Sequence, residues 1–389
     1  MTTRADAEAL DAADPLAPWR ERFVTPDGLV YLDGNSLGMA PVAALDRLAE
    51  VAATDWAQGL IRSWDHWLDL PRQVGDRLAP IIGAPAGSVV VHDSTTVNLY
   101  QLVHAGLALA AGRGRPDGAI AVDDGDFPTD RYVVAGIAAA TGRAVRHGLA
   151  DLDGVAVVVR SAVDYRSAAR TDIAAETARA TAAGAVTVWD LSHAAGAVEV
   201  DVAADGVELA VGCTYKFLHG GPGAPAWSYV APELVGGLEQ PVWGWFAQSA
   251  QFEMGAHHEP LPDIRRLLLG TPGILGLAAA EVGIGHVADA GMAGVAAKGR
   301  ALTGLALECC AERGLVSPTP VDPATRGAHV AVQVTGADTV HGELNRRGVI
   351  TDVRRPDVIR LGCAALTTRF VDVWDGVAAL ADVVTTGGN

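Results

Sequence analysis

Short, almost wholly apolar runs alternate with longer stretches in which apolar residues recur every three or four positions, and this alternation organises the middle of the chain. Val89–Val91, Ala119–Val122, Val155–Val159, Ala185–Trp189 and Glu208–Val211 read as strands. Apolar at nearly every position, they fit strands buried on both faces. Helical spacing fills the intervals at Val97–Ala111, Thr129–Thr141 and Ile173–Ala183. Strands separated by helices predict an α/β fold with a mostly parallel sheet between helices. Before this region, a short helix from about Ala5 precedes Pro15 and Pro18. A brief strand at Leu29–Leu32 then leads into the turn-rich Asp33-Gly-Asn-Ser-Leu-Gly38. Residues 42–82 read as helices, Val42–Ala53 starting at Pro41 and Leu70–Ile82 with Pro71 near its first turn, where proline is tolerated. Beyond the sheet, one long helical stretch is expected from Ile274 to about Gly314. The pattern His329–Val334 (strand), Gly336–Arg347 (helix), Val349–Arg354 and Val358–Cys363 (strands) and Val371–Val384 (helix) then predicts a small α+β lobe. The expected division is an N-terminal arm contributing to the small domain (1–45), a large domain (46–275), and a linking helix with the small C-terminal domain (276–389).

Composition narrows the function classes. At 389 residues and 50% hydrophobic, the chain has enough apolar material for two packed lobes. A net charge of −17 argues against nucleic acid or an anionic membrane as partner. Cys213, Cys309, Cys310 and Cys363 show no metal-ligand spacing. His257-His258 has no further ligand pattern, so no metal is expected. The acidic, alanine-rich N-terminus does not resemble a signal peptide, and no apolar run approaches the roughly 20 residues of a membrane helix. A soluble, cytoplasmic protein is the expectation.

The candidate chemistry lies where the strands end, the usual place for sites on open α/β sheets. Ser94, Thr95 and Thr96 open a helix, whose free N–H groups and hydroxyls suit a phosphate or serve as a plain cap. Phe127-Pro-Thr-Asp130 follows the next strand. Phe127 could lie on a cofactor ring, and Asp130 could cap the following helix. Asp190 ends the strand through Trp189, His193 comes three residues later, and Tyr215-Lys216 precedes Gly220, Gly221 and Gly223. A primary amine, a carboxylate and phosphate donors are the set that pyridoxal 5′-phosphate (PLP) requires. Lys216 is the proposed amine, Asp190 the partner of the pyridine nitrogen, and Tyr215 a phosphate donor or acid/base.

These motifs, in order, resemble the kynureninase family, fold-type-I PLP enzymes of the aspartate-aminotransferase superfamily. The resemblance runs from about Tyr31 to Trp374 and is carried by Tyr31–Gly38, Asp93–Asn98, Phe127–Asp130, Trp189–Gly196, Cys213–Gly223, Gly244–Phe246, Gln251–Met254 and Gly270–Leu275. It implies that Thr95 and Thr96 hold the phosphate, that Phe127 stacks on the ring with Asp130 beside it, and that Ser161 and His193 also contact the cofactor. Asp190 would pair with the ring nitrogen, and Tyr215 and Lys216 would be catalytic. Trp245 and Thr271 would reach the cofactor phosphate of the other subunit of a homodimer with its sites at the interface. Arg360 would grip the α-carboxylate of an amino-acid substrate. The implied reaction is hydrolysis of L-kynurenine, or its 3-hydroxy form, to anthranilate (or 3-hydroxyanthranilate) and L-alanine, a step of tryptophan catabolism and NAD biosynthesis by the kynurenine pathway.

The chain departs from the family pattern at Ala247-Gln248, at His219 where asparagine is usual, and across Leu361–Thr367, where aromatics are missing. Two other readings stand beside the first. One is a related PLP enzyme of transaminase, β-elimination or desulfurase type acting on another amino acid. The other is a non-catalytic protein of the same fold.

Overall fold

The computed structural model describes residues 1–386, which form two lobes joined by long helices. In chain order, α1 (Arg4–Ala12), β1 (Val30–Tyr31), α2 (Val42–Glu50), α3 (Trp64–Trp67) and α4 (Leu70–Leu78) come first. Then follow β2 (Val89–His92), α5 (Thr95–Gly112), β3 (Ala119–Val122), α6 (Pro128–Thr141), β4 (Val145–His147) and β5 (Val155–Ser161). The large lobe continues with α7 (Ile173–Ala182), β6 (Val186–Asp190), β7 (Leu209–Gly212), β8 (Ala226–Val230) and α8 (Pro232–Val235). The last elements are α9 (Ile274–Ala290), α10 (Met292–Glu312), β9 (His329–Gln333), α11 (Ala337–Arg346), β10 (Val349–Ile350), β11 (Asp352–Arg354), β12 (Val358–Gly362) and α12 (Phe370–Thr386).

The large lobe is built on a seven-stranded sheet of order β2-β8-β7-β6-β5-β3-β4. Strands β4, β3, β5, β6 and β7 are parallel to one another, and β8 is antiparallel to both β7 and β2. Strand β2 therefore runs the same way as β7. The carboxyl ends of β2, β3, β5, β6 and β7 open on one edge of the sheet, which sets where the site lies. Two apolar layers sandwich the sheet. Leu99, Leu102 and Val103 of α5 pack on one face with Val157 and Val188, and Leu277 and Ile284 of α9 belong to the layer containing Trp189 and Trp227.

The small lobe holds the antiparallel sheet β11-β12-β9 and the parallel pair β1-β10. The N-terminal arm is part of this lobe's core, because Ala7 and Leu32 are buried with Leu302, Val330, Ile359 and Val377.

Several elements differ from the sequence expectation. The stretch expected to be continuous from Ile274 breaks at Gly291 (φ +81), and the two helices meet at 86°. No single helix among the described residues is long and apolar enough to cross a membrane. The expected strand Val349–Arg354 divides at Thr351, so β10 pairs with β1 while β11 pairs with β12. After Glu50 the helix widens to π geometry over Val51–Gly59. Carbonyls of that turn are met by Ser63 Oγ, donating to Asp55 O (2.7 Å), and by Arg62, donating to Gln58 O (2.7 Å). Two strands were not expected. Half-exposed β4 carries Arg146 at the sheet edge, and the apolar pattern of β8 is interrupted by Ser228, whose hydroxyl lies 3.1 Å from His92 Nε2.

Candidate active site

A cavity of 240 Å³ opens at the carboxyl edge of the large sheet, lined by residues that include Thr95, Thr96, Phe127, Asp130, Ser161, Asp190, His193, Tyr215 and Lys216. Each stands where a strand hands over to a loop or helix. Thr95 and Thr96 begin α5, whose N-cap Ser94 accepts from Val97 N–H (3.4 Å). Phe127 and Asp130 enter α6, Ser161 closes β5, and Asp190 closes β6. The cavity is thus built from strand ends, helix starts and loops held on a rigid sheet.

Lys216 Nζ lies 3.1 Å from His193 Nε2. Burial, then the charge of Lys216, drives the His193 imidazole well below its ordinary pKa, so it is neutral and can accept from the Lys216 nitrogen. Asp190 receives two hydrogen bonds on Oδ1, from Ser192 N (2.8 Å) and Ser192 Oγ (2.5 Å). Asp130 is buried, and burial, with the nearby charges of Asp190 and Asp126, pushes its carboxyl well above the usual range. Its Oδ2 and the Nδ1 of His193 have no hydrogen-bond partner among the described residues. Buried polar atoms left unpaired inside a cavity are costly unless a ligand meets them. An amine, a carboxylate, a hydroxylated helix N-terminus and an exposable aromatic face match the functional groups of PLP.

The N-terminal signature explains how the lysine loop is held. Gly38 N–H donates to Tyr215 O (2.8 Å). A Cβ at Gly38 would strike the Lys216 carbonyl oxygen, which is why the position takes glycine. Behind it, the buried His219 donates its Nδ1–H to the Met39 carbonyl (3.1 Å) and sits at φ +55. Since the Met39 carbonyl can only accept, Nδ1 carries the proton. Histidine and asparagine are both enriched in this left-handed region, so the departure at His219 preserves the backbone. His219 is not among the residues lining the cavity.

Three expected site residues do not line this cavity. Trp245 is 37% exposed and packs edge-on against Trp64 (6.2 Å between ring centroids) and Phe246 (4.7 Å). Thr271 is exposed in the loop before α9. Arg360 is fully buried behind the cavity wall, with Nε donating to Asp352 Oδ1 at 2.7 Å. Conversely, Ser36, Thr129, Tyr165, Ser192 and Arg354 line the cavity without having been singled out from sequence. Tyr165 meets Phe127 edge-on at 5.2 Å. His329 of β9 places its ring 5.6 Å from that of His193, with both nitrogens unpartnered among the described residues. Ser192 could have been found from its place between Asp190 and His193. The others depend on pairings between distant segments.

Comparison with known proteins agrees with this architecture. Residues 295–380 match the family described as "Kynureninase C-terminal domain". A kynureninase from Pseudomonas fluorescens is 42% identical over 399 aligned positions, covering 99% of this chain and 96% of that protein. One from Burkholderia pseudomallei (strain 1106a) is 41% identical over 401 positions, with the same coverage. Among solved structures, the apo cysteine desulfurase from Thermococcus onnurineus NA1 superposes with a TM-score of 0.82 at 17% identity, covering 95% of this chain and 98% of that one. A C-DES mutant with glycine covalently linked to its PLP cofactor superposes with a TM-score of 0.76 at 17% identity, covering 93% and 99%. At such low identity these structures speak to the fold, which is that of the fold-type-I PLP enzymes. The full-length identity goes further, and with it the chain belongs to the kynureninase family.

Proposed function

We propose that the protein hydrolyses L-kynurenine or 3-hydroxy-L-kynurenine, giving L-alanine and anthranilate or 3-hydroxyanthranilate, with PLP held in the cavity at Lys216. The observation that carries this reading is the pairing of Lys216 Nζ with a neutral His193, 3.1 Å away, in a cavity also walled by Asp190. When bound, the cofactor supplies an aldehyde for an amine and a ring that withdraws electrons from the bonds at Cα.

The chain's own residues do the rest. Lys216 presents the primary amine and, once the substrate amine has taken its place, accepts the Cα proton. Thr95 and Thr96, with the N–H groups opening α5, hold the phosphate. Phe127 offers its ring face, while Asp130 and Ser161 take the ring substituents. Asp190 keeps the pyridine nitrogen protonated, with Ser192 fixing the carboxylate through Oδ1. Burial pushes the Tyr215 phenol up, so at neutral pH it keeps a proton and can donate it to the alanine fragment.

A homodimer completes the site. Trp243, Trp245 and Phe252 expose 71%, 37% and 63% of their surface on one protomer. Trp245 and Thr271 would then serve the partner's cofactor phosphate. The same reading divides the chain into an arm (1–45), a PLP-binding domain (46–275) and a linking helix with the small domain (276–389).

A desulfurase would need a reactive thiol at the cavity. All four cysteines are buried and none lines it, and burial raises the Cys363 thiol to about 12.

The test uses purified, PLP-loaded protein mixed with L-kynurenine and, separately, its 3-hydroxy form. Anthranilate fluorescence and L-alanine release are followed. Stoichiometric products are expected, and Lys216→Ala should lose both turnover and the cofactor's absorbance band. A wild type that keeps the band yet cleaves neither substrate refutes the assignment.

A further inference from the structure

A second cavity, of 460 Å³, lies between α5 and the segments that follow α8, and it shares no lining residue with the cavity at Lys216. Its volume falls in the range of small-molecule sites, about 300–1,000 Å³. Much of the wall is apolar or aromatic: Leu238, Pro241 and Pro260, with Trp243 stacked on His258 (5.2 Å between ring centroids, 10° between planes). Buried Gln240 ties this wall to α5. Its Oε1 accepts from Gln101 Nε2 (3.1 Å) and from Val242 N (2.8 Å), and its carbonyl accepts from Trp243 Nε1 (3.1 Å). A charged group stands in this setting. Arg266 is only 8% exposed, and it donates through Nη1 alone, to the carbonyls of Val235 (2.7 Å) and Gly236 at the end of α8. Among the described residues no carboxylate lies within ion-pairing distance of it, and Nε and Nη2 have no hydrogen-bond partner. Glu239 also lines the cavity, but it is exposed and makes no ion pair with Arg266. A buried guanidinium held only by neutral carbonyls is costly until an anion meets it. Two buried nitrogens of the wall, His104 Nε2 and His258 Nε2, also lack partners among the described residues.

We propose that this cavity is a second binding site, and that its ligand is a small aromatic carboxylate. Nε and Nη2 form one edge of the Arg266 fork, which meets a carboxylate with two parallel hydrogen bonds. A flat ring suits the remaining wall of prolines and stacked aromatics, and the two histidine nitrogens can meet polar substituents on it. A single negative charge matches the single buried arginine. A phosphate would bring further charge into a wall that is largely apolar, at a desolvation cost nothing there offsets. The site stands independently of the reaction proposed above, whose aromatic product belongs to the same chemical class.

The test is titration calorimetry of the PLP-loaded enzyme, in its solution oligomer, with benzoate and its neutral counterpart benzamide. One benzoate per chain should bind, and benzamide should bind at least about 10-fold more weakly, the worth of a charged hydrogen bond. Arg266→Gln should bring benzoate down to the affinity of benzamide. Ala108→Trp fills the cavity from α5, leaves the arginine in place, and should abolish binding of both compounds. It also decides the matter if Arg266→Gln does not fold. Both variants should keep the wild-type cofactor absorbance band, because neither residue lines the cavity at Lys216. Benzoate that binds the variants as it binds wild type, or that fails to bind wild type at concentrations on the order of millimolar, overturns the second site. Benzoate that shifts the cofactor band equally in wild type and Ala108→Trp sits at Lys216 and overturns it too. Cleavage of L-kynurenine judges the proposed reaction separately, so the failure of one leaves the other standing.

Discussion

Gly38→Ala tests how tightly the N-terminal arm clamps the lysine loop. Gly38 does not have positive φ, so alanine is conformationally allowed and the cost is steric. The added methyl would meet the Lys216 carbonyl oxygen, His219 Nδ1 (2.7 Å) and His219 Cα (3.0 Å). Two of these are backbone atoms. The third belongs to a buried ring tied to Met39 (3.1 Å) and packed 4.7 Å from Phe23, so it cannot swing aside. Overpacking of this kind costs about 1–3 kcal/mol. Losing the Gly38–Tyr215 hydrogen bond (2.8 Å) would raise the total to about 2–4 kcal/mol. Relief by moving the loop would displace Lys216, and a shift of about 1 Å at a reacting group costs on the order of 100-fold in rate. The assay is denaturant unfolding of the PLP-loaded enzyme alongside kcat. Gly112→Ala is the control. It lies at the end of α5, a Cβ there meets nothing within 4 Å, and alanine suits a helix better. A Gly38→Ala enzyme that matches wild type in both stability and kcat, or a Gly112→Ala enzyme that is the more damaged of the two, would refute the clamp.

Three further outcomes are expected. His219 has its pKa lowered to about 4 by burial, so the native state declines a proton that the unfolded state takes up below about 6.5. Stability should therefore fall as pH drops from about 6.5 toward 4, and His219→Asn, which accepts the same positive φ, should flatten that fall in denaturant titrations at each pH. Asp126 has the opposite sign. Burial raises its carboxyl to about 7, against the partial offset of Arg160, so the stability it contributes is complete below about 4 and is lost as pH rises to 7. Asp126→Asn should remove that loss, and an unchanged pH slope would contradict the assignment. Finally, mixing Lys216→Ala and Trp245→Ala chains should restore activity that neither homodimer has, because the hybrid owns one intact site. Mixtures as inactive as their parents, with hybrids present by native mass spectrometry, would contradict a shared site.

The almost wholly apolar runs at Val89, Val155 and Val186 announce strands buried on both faces because burial acts residue by residue. The break at Gly291 is a local event too, yet the flanking pattern hides it: apolar periodicity continues on both sides, and only packing decides the 86° turn. Lys216, Asp190 and His193 were legible for the same reason as the strands. Each sits within a few residues of its strand end, and in parallel α/β sheets those ends share an edge. Strand β8 was not legible, since its place between β2 and β7 depends on pairing with β2 across 130 or more positions, and Ser228 breaks its apolar run to meet His92. Local sequence likewise says nothing of which arginine faces the cavity. Arg354 and Arg360 are equal as residues, yet one lines the cavity while the other is buried against Asp352 and Ser36, which lie 316 positions apart in the chain. The sequence alone determined most of the strands and helices and the chemical groups carried at their ends, because those depend on neighbours along the chain. The tertiary structure decided which charges are spent on one another and which remain free for a ligand, because that depends on neighbours in space.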